Sequence, residues 1–462
     1  MNLDLTNIVL YHALVVLGEV MIILSLVHML YNRRSSTSII AWLLFIILVP
    51  YVAVVLYFVF GSRKRKNRYK KDKIKLQEHT ETFIDLNPIN EVLRSYDIAE
   101  TCKNENFVLY TDSVTAYKEL MKCISNTKKS IHISTYVFKY DDVTDILIKE
   151  LLKKADEGVS IRILIDSLGS LKLYIFGHPL KKLINSGVKI EFFMPIFKMP
   201  FRNYINLRNH RKIWIFDNEK VLSGGMNLAN EYIGPKQSKP RWDDILFLVE
   251  GKSAELYFEI FASDWFYASH ETLNFPDKPI DTNGDTSLQV VPSGPDMDKD
   301  VLYGTLLCAI YGAKKRIWLV TPYFVPDASL LQALIMAKHK GLDIKLITPK
   351  KSNHLIADLA RSSYMRELEE AGVEVILHDG LMLHAKAILF DETSVMLGSV
   401  NIDNRSLFLN YEVATFVYSF RVVKEVEIWM QKLILNSHMG TEKVSRIRIV
   451  IENLMKVLAP QI

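Results

Sequence analysis

The sequence predicts an α/β protein that contains two similar halves and is preceded by a two-helix transmembrane hairpin. Three observations predict it. Two long apolar runs stand near the N-terminus, short apolar strands alternate with amphipathic helix patterns over the rest of the chain, and one polar motif occurs twice with the same spacing. The chain has 462 residues, 49% hydrophobic and 24% charged, which excludes global disorder.

The two apolar runs, 8–30 and 39–60, predict the helices of the hairpin, which takes residues 1–62. The second run has no charged residue and, at 1.5 Å per residue, reaches about 33 Å, enough to cross a hydrocarbon core of about 30 Å. Residues 1–7 contain no Lys or Arg, so the segment lacks the basic start of a cleaved signal peptide. We therefore expect both helices to be retained.

A basic juxtamembrane linker, 63–105, follows the hairpin. Residues 63–75 contain nine basic residues and one acidic residue, whereas the loop between the helices has only Arg33 and Arg34. The positive-inside rule then predicts a multi-pass membrane protein, with the N-terminus and everything after residue 60 in the cytoplasm and the short loop outside. The basic tract should attract anionic lipids.

The charge of the soluble body argues against a nucleic-acid partner. The whole chain carries a formal net charge of +5. Since residues 63–75 contribute +8 and residues 1–62 contribute none, the remaining chain carries −3. The body therefore lacks the basic surface that nucleic-acid binders show.

The rest of the chain repeats one order of elements, strand, helix, glycine, strand, helix, glycine and strand. The first copy has strands at 128–133, 161–165 and 189–193 and a helix at 145–157, and the second has strands at 314–319, 344–347 and 374–377 and a helix at 330–340. Glycines end the helices at Gly158, Gly187, Gly341 and Gly372. We assign the first half to 106–275, an inter-half linker to 276–300, the second half to 301–440 and an amphipathic C-terminal helix to 441–462.

The repeated polar motif has the form HxK, four residues, D, six residues, G[GS]xN. Its first copy is His210, Lys212, Asp217, Gly224, Gly225 and Asn227, and its second is His384, Lys386, Asp391, Gly398, Ser399 and Asn401. Every position is displaced by 174 residues, and each copy adjoins a strand-like run, 213–216 or 387–390. Two matched copies in one chain make a specific signal.

The motif suits phosphoryl transfer. Residues two apart on a strand share a face, so each histidine projects with its lysine, and two such strands can direct both pairs at one phosphorus atom. One imidazole attacks phosphorus, the other protonates the departing alcohol, and the lysines and asparagines hold the nonbridging oxygens. We also expect Gly225, Ser399, Tyr136 and Tyr323 to bind substrate. Asp217 and Asp391 belong to the catalytic motif, although each follows its strand and should anchor the turn.

No cofactor or metal is expected, because the four donors already neutralise a phosphoryl group. The three cysteines, Cys102, Cys123 and Cys308, form neither a CxxC motif nor a Cys/His cluster, so they offer no zinc site and no disulfide framework.

With these motifs the chain resembles the phospholipase D superfamily, and more narrowly the bacterial cardiolipin synthases. The resemblance covers essentially the whole chain and rests on the duplicated motif and on the segments 224–227, 231–234, 321–326, 398–406 and 409–412. It implies a two-lobed fold with one active site between the halves and a phosphohistidine intermediate. The implied reaction condenses two phosphatidylglycerols into cardiolipin and glycerol.

The family also places a carboxylate behind each catalytic histidine to fix its tautomer. By resemblance, Glu412 takes this role in the second half and Asp244 in the first. The neighbouring Asp243 stands where the family has arginine and is expected on the surface, and Leu246 replaces a family histidine. The sequence does not decide which histidine attacks, although family analogy favours His210.

Several alternatives stay open. Water instead of a lipid hydroxyl could resolve the intermediate, which would make the protein a phospholipase D-type hydrolase. A membrane-tethered nuclease and a catalytically silent lipid-binding scaffold are the other candidates. The apolar loop 192–204 fits either contact with acyl chains or core packing, and the tail 443–458 fits either a membrane-surface helix or a helix packed on the body.

Overall fold

The computed structural model describes residues 5–32, 36–61, 88–197, 206–238, 241–275, 284–297 and 299–458. The basic tract 63–75 and the loop residues Arg33 and Arg34 lie outside these ranges.

The described chain forms fifteen helices and seventeen strands. The N-terminal region has α1 (Leu5–Tyr31), α2 (Ser36–Leu48), α3 (Pro50–Phe60) and α4 (Pro88–Ser95). The first half contains β1 (Cys102–Tyr110), α5 (Ser113–Asn126), β2 (Ser130–Thr135), α6 (Asp142–Asp156), β3 (Ser160–Asp166), α7 (Leu171–Phe176), α8 (His178–Asn185), β4 (Lys189–Phe193), β5 (Ile213–Phe216), β6 (Lys220–Gly224), β7 (Leu246–Gly251) and α9 (Ser253–Ser269). The second half contains β8 (Thr286–Ser293), α10 (Val301–Gly312), β9 (Arg316–Val320), β10 (Phe324–Val325), α11 (Ala328–His339), β11 (Asp343–Pro349), α12 (Leu355–Glu370), β12 (Glu374–His378), β13 (Ala387–Phe390), β14 (Ser394–Gly398), β15 (Ile402–Asp403), α13 (Asn404–Phe408), β16 (Glu412–Val417), α14 (Phe420–Leu435) and β17 (Ser437–Met439). The last described helix is α15 (Arg446–Leu458).

One sheet of fifteen strands runs through both halves, in the order β17-β12-β11-β9-β13-β14-β16-β8-β1-β7-β6-β5-β2-β3-β4. The order is pseudo-symmetric about the antiparallel pair β1 and β8, since β7, β6, β5, β2, β3 and β4 on one side correspond to β16, β14, β13, β9, β11 and β12 on the other. The outer strands β2, β3 and β4 pair in parallel, as do β9, β11 and β12. The predicted α/β class with two pseudo-symmetric halves is confirmed.

The glycines predicted to end helices adopt backbone angles that other residues avoid. Gly158, Gly187, Gly341 and Gly372 all have φ between 87° and 90°, the left-handed region that a side chain disfavours. Each therefore ends its helix and directs the chain into the next strand of the parallel group.

The predicted linkers need correction. The inter-half linker 276–300 contains β8, which is buried and lies in the middle of the sheet between β16 and β1. The juxtamembrane linker 63–105 contains α4, which contacts α10, and the start of β1. The polar and mixed composition of these two segments does not reveal the strands and the helix within them, because their burial depends on elements that are distant in sequence.

The membrane region also differs from the predicted hairpin. α1 is the one described helix that is long and apolar enough to cross a membrane, over Asn7–Tyr31. The second apolar run breaks at Val49, whose φ of −141° and ψ of 66° leave the helical region because Pro50 follows. The resulting α2 and α3 are 13 and 11 residues long, about 20 Å and 17 Å, and each is too short to cross alone.

The aromatic loop 192–204 is described only to residue 197. Phe193 and Met194 are buried in the core, which favours core packing for this part, whereas Phe197 is exposed and stacks on Tyr174. The remainder of the predicted loop lies outside the described residues.

Candidate active site

A cavity of about 730 Å³ lies between the two halves and receives residues from both. The first half contributes Tyr136, His210 and Asn227 to its wall, and the second contributes Tyr323, His384 and Asn401. Both predicted histidines therefore face one space. Each sits just before a fully buried strand, β5 or β13, which fixes the chain that carries it.

Backbone hydrogen bonds join each histidine to the opposite half. The His210 N–H donates to the carbonyl of Tyr411 (2.8 Å), and the His384 N–H donates to the carbonyl of Asp243 (2.7 Å). These contacts form short parallel bridges between the halves, Asn209 with Tyr411 and Asp243 with Leu383. The position of each ring thus depends on how the two halves dock.

The carboxylates are paired with the histidines across the interface. Glu412 of the second half lies 3.0 Å from Nδ1 of His210 of the first half. Asp244 of the first half lies 2.7 Å from Nδ1 of His384 of the second. Both carboxylates are buried, and a carboxylate at Nδ1 favours the tautomer that carries its proton there and its lone pair on Nε2.

Ser399 and Gly225 lie behind these carboxylates. Ser399 Oγ donates to Glu412 at 2.5 Å, and Gly225 approaches Asp244 so closely that an added Cβ would lie 2.0 Å from Oδ1. Neither residue is among the described residues that line the cavity. In this structure both residues contact the carboxylates, and their contact with substrate stays a prediction.

The two lysines lie beneath the rings and are fully buried. Lys212 Nζ donates to the His210 carbonyl at 2.6 Å, and Lys386 Nζ lies 2.9 Å from Nδ1 of His384. Burial lowers the pKa of Lys212 to about 7 and that of Lys386 to about 8, against the partial compensation of nearby carboxylates. Near neutral pH the protonation of both lysines therefore depends on any negative charge that enters the cavity.

Burial and the neighbouring lysines also act on the rings. The pKa of His384 falls to about 3, first through burial and then through Lys386, and burial lowers the pKa of His210 as well. Each ring is also affected by the lysine of the other motif, which shows that the two sets form one electrostatic unit. Burial raises the pKa of Glu412 and Asp244, but the rings and lysines more than offset this and lower both values below normal.

The predicted amides and tyrosines lie on the cavity wall. Asn227 Oδ1 accepts from the backbone N–H of Val137 at 3.1 Å, and the Oδ1 of Asn401 makes no hydrogen bond with any described residue. Tyr136 packs edge-on against His210 with ring centroids 4.9 Å apart, and Tyr323 donates to a neighbouring side chain at 2.5 Å. Both asparagines thus line the space that a ligand would occupy.

Asp217 and Asp391 are not in the cavity, which corrects their assignment to the catalytic set. Each lies in the left-handed region, with φ of 51° and 53°, at the far end of its strand. Asp217 accepts the backbone N–H groups of Lys128, Lys129 and Ser130, and Asp391 accepts those of Lys314, Lys315 and Arg316. The anchoring of a turn, which the sequence also suggested, is the role that the structure shows.

Sequence reasoning missed two arginines on the cavity wall. Arg405 is bound through both Nη atoms to Asn206, and Arg208 donates to the carbonyl of Met194 at 2.8 Å. The position of Arg405, four residues after Asn401, was the available signal. Asp243 keeps the surface position expected of it, with its side chain 41% exposed, and its carboxylate lies 2.9 Å from Nε2 of His378.

Within the described ranges no group of three or more His, Cys, Asp and Glu side chains could hold a metal ion.

A duplicated His/Lys motif facing one cavity between pseudo-symmetric α/β halves defines a phospholipase D-like protein. Comparison with known proteins narrows this class. The family described as "Cardiolipin synthase, PLD-like domain" matches residues 120–265 and 306–434, and an N-terminal family, "Phospholipase_D-nuclease N-terminal", matches 20–62. The chain belongs to the PLD-like cardiolipin synthase family.

Similar proteins support the assignment along most of the chain. Cardiolipin synthase 1 of Bacillus cereus is 33% identical over 426 residues, covering 86% of this chain and 82% of its own. The major cardiolipin synthase of Bacillus subtilis is 32% identical, covering 88% and 89%. The crystal structure of Haemophilus influenzae phosphatidylserine synthase superposes with a TM-score of 0.63 over 81% of this chain and 97% of its own, at 14% identity, which shows a shared fold.

Proposed function

We propose that this protein is a cardiolipin synthase. It transfers a phosphatidyl group from one phosphatidylglycerol to another and releases glycerol. The observation that carries the proposal is the pair of imidazoles in one cavity, each with a buried carboxylate at Nδ1, at 3.0 Å and 2.7 Å. The relatives named above as cardiolipin synthases support the choice of substrate.

In the first step, Nε2 of one histidine attacks the phosphorus of the donor lipid. The N–P bond forms as the bond to the glycerol oxygen breaks. The second histidine, which takes up a proton when the anionic phosphodiester raises its pKa, gives that proton to the glycerol oxygen. In the second step, the terminal hydroxyl of an acceptor phosphatidylglycerol gives its proton to the second histidine and displaces the first from phosphorus. One phosphodiester is lost and one is formed, so the reaction balances without water.

The other residues act on charge and orientation. Lys212 and Lys386 neutralise the nonbridging oxygens, and an anionic phosphodiester raises the pKa of both because opposite charge favours the ammonium form. Asn227 and Asn401 line the cavity, and their amides supply hydrogen bonds to the substrate. Ser399 and Gly225 position the carboxylates, and no metal or cofactor is required of this residue set.

The partners are phosphatidylglycerol and other anionic membrane lipids, and the site is that of a bacterial inner-membrane enzyme with its catalytic body in the cytoplasm. The basic tract 63–75 supports the cytoplasmic placement, because such clusters stay on that side. The predicted multi-pass arrangement depends on α2 and α3, which are each too short to cross alone.

The test uses the full chain in vesicles that contain only phosphatidylglycerol. A synthase releases glycerol and four-chain lipid in equal amounts, whereas phosphatidic acid as the product would identify a hydrolase. His210→Ala and His384→Ala should each lower the rate by at least about 10³-fold, since each ring serves as nucleophile or as acid and base. His132→Ala, which truncates a buried histidine outside the cavity wall, should retain activity. Equal losses from all three variants would refute the site.

A trapped intermediate decides which ring attacks. Quenched enzyme should carry a phosphatidyl group on one histidine, and peptide mass spectrometry identifies that residue. Cleavage of DNA by the purified protein, with phosphatidylglycerol left unchanged, would instead establish the nuclease.

A further inference from the structure

The helices α2 and α3 fold back on each other. The rings of Trp42 and Tyr57 lie 5.3 Å apart, although a continuous helix would separate residues 15 apart by about 22 Å. Ile46 and Ala53 belong to the same small apolar cluster. Hydrogen bonds from the Val49 N–H to the Phe45 carbonyl and from the Ala53 N–H to the Val49 carbonyl continue across the bend.

Contacts with α1 fix the depth that this hairpin reaches. Near the end of α1, His28 Nδ1 lies 2.7 Å from the Tyr57 hydroxyl. Near its middle, the carbonyl of Leu14 accepts from the Tyr51 hydroxyl at 2.5 Å, and Tyr51 also lies beside Gly18. The bend therefore lies along the middle of α1, and both open ends of the hairpin lie near the end of α1.

The bend consists of apolar residues that face outward. Ile47, Leu48 and Val49 are exposed, Leu48 to 78%, and none carries a polar group. An exposed turn in water is usually polar and rich in glycine. The apolar side chains of this turn suit it to hydrocarbon instead.

The C-terminal helix α15 is amphipathic, but it packs on the protein with its polar face and exposes its apolar face. Its polar face contacts α12: Glu452 accepts from Arg366 and is fully buried, and Lys456 pairs with Glu367 at 2.5 Å. Its apolar face, formed by Ile447, Val450, Ile451 and Leu454, is exposed, Val450 to 67%.

The surroundings of that apolar face identify what covers it. α15 contacts α2, one arm of the apolar hairpin. Lys443 and Arg446 at its start are exposed and form no ion pair with any residue in the described ranges. An apolar stripe beside free cations is the pattern of a helix that lies in the interface of an anionic bilayer.

We propose that the α2–α3 hairpin and the apolar face of α15 form one membrane-binding surface on a single side of an anionic bilayer. The hairpin enters and leaves on the side of the catalytic body, α15 lies in the interface of that side, and α1 alone crosses. The N-terminus then lies on the opposite side. Both Arg33 and Arg34 and the tract 63–75 stand on the body's side by sequence position, so the positive-inside rule is obeyed by both.

Depth measurements test the surface without depending on turnover, so their failure is distinct from failure of the proposed reaction. Full-length protein with its three cysteines changed to serine is placed as single copies in phosphatidylglycerol and phosphatidylcholine nanodiscs. An environment-sensitive fluorophore is attached at Leu48→Cys, at Val450→Cys or at the control Ile428→Cys. The control is an exposed apolar residue of α14, which packs on a different core cluster from α15.

Nitroxide lipids then report where each label lies. Label at Leu48 should be quenched at least fivefold more by nitroxide in the acyl chain than by nitroxide at the headgroup. Label at Val450 should be quenched by headgroup nitroxide, and label at Ile428 by neither. An unquenched Val450 label would overturn the proposal, and so would quenching that appears only with several copies per disc, because a second copy of the chain would then cover α15.

Labelling from one side tests the topology. In sealed vesicles an impermeant maleimide should reach Asn2→Cys and Lys149→Cys, the latter on exposed α6, from opposite sides. Labelling of both from the same side would show two complete crossings and refute the half-membrane hairpin.

Discussion

Glu412→Gln is the sharpest test of the carboxylate pairing. In the native site one carboxylate oxygen accepts from both His210 Nδ1 and Ser399 Oγ, and the other lies 3.5 Å from the Asn410 amide nitrogen. A glutamine of the same size can keep its oxygen toward the ring only by facing its NH₂ against the Asn410 NH₂. In the reverse orientation its NH₂ meets Nδ1 and forces the ring proton onto Nε2, where it blocks attack.

Either orientation also removes the negative charge that stabilises the imidazolium. Loss of an acid–base partner of this kind costs about 10²- to 10⁴-fold, so we expect about 10³-fold, or about 4 kcal/mol of transition-state stabilisation. The assay is the initial rate of cardiolipin formation by full-length protein in phosphatidylglycerol vesicles, with thermal unfolding measured in parallel. Glu427→Gln, which breaks the ion pair with Arg316 outside the cavity, is the matched control and should retain its rate.

A rate for Glu412→Gln within threefold of the unchanged protein would refute the orienting role. A loss of rate matched by an equal loss in Glu427→Gln would show that buried carboxylates matter only for stability.

The remaining predictions concern the lysines, a glycine and a turn. Because burial lowers the pKa of Lys212 to about 7 and that of Lys386 to about 8, both lose charge as the pH rises. Inhibition by dimethyl phosphate, an anion throughout this range, should weaken between pH 6 and 9, and an inhibition constant independent of pH would contradict those values. Gly225→Ala should lower the rate about 100-fold or more by displacing the Asp244 carboxylate, without loss of lipid binding in a vesicle flotation assay. Asp391→Asn keeps its backbone conformation but loses charge-assisted bonds, so the free energy of unfolding should fall by about 1 to 3 kcal/mol while the rate per folded molecule stays unchanged. A lower rate with unchanged stability would restore the catalytic assignment of that aspartate.

The sequence was sufficient for the repeated strands and for the histidines, asparagines and tyrosines of the cavity wall, but not for Arg208 and Arg405. The bounds 213–216 and 387–390 match β5 and β13, because buried strands next to a polar motif have a clear pattern. The bend at Val49 was missed although Pro50 was visible, since hydropathy alone does not distinguish one long helix from two short ones. The strand β8 was missed because it owes its burial to β1 and β16, which are distant in the chain.

The sequence alone could not predict which carboxylate contacts which histidine. Glu412 and Asp244 were found by resemblance, but only the docking of the halves shows that each serves the ring of the other half. The displacement of Ser399 and Gly225 from the cavity has the same origin, since both contact groups brought in by folding.

The exchange of carboxylates across the interface makes the duplicated unit indivisible. A single half has one histidine without the carboxylate that contacts its Nδ1, and one carboxylate without the histidine that it contacts. A severed half is inert until a counterpart restores both pairs, and damage to either carboxylate disables the ring of its neighbour first. The two repeats are consequently bound to change in step, however far their surfaces diverge.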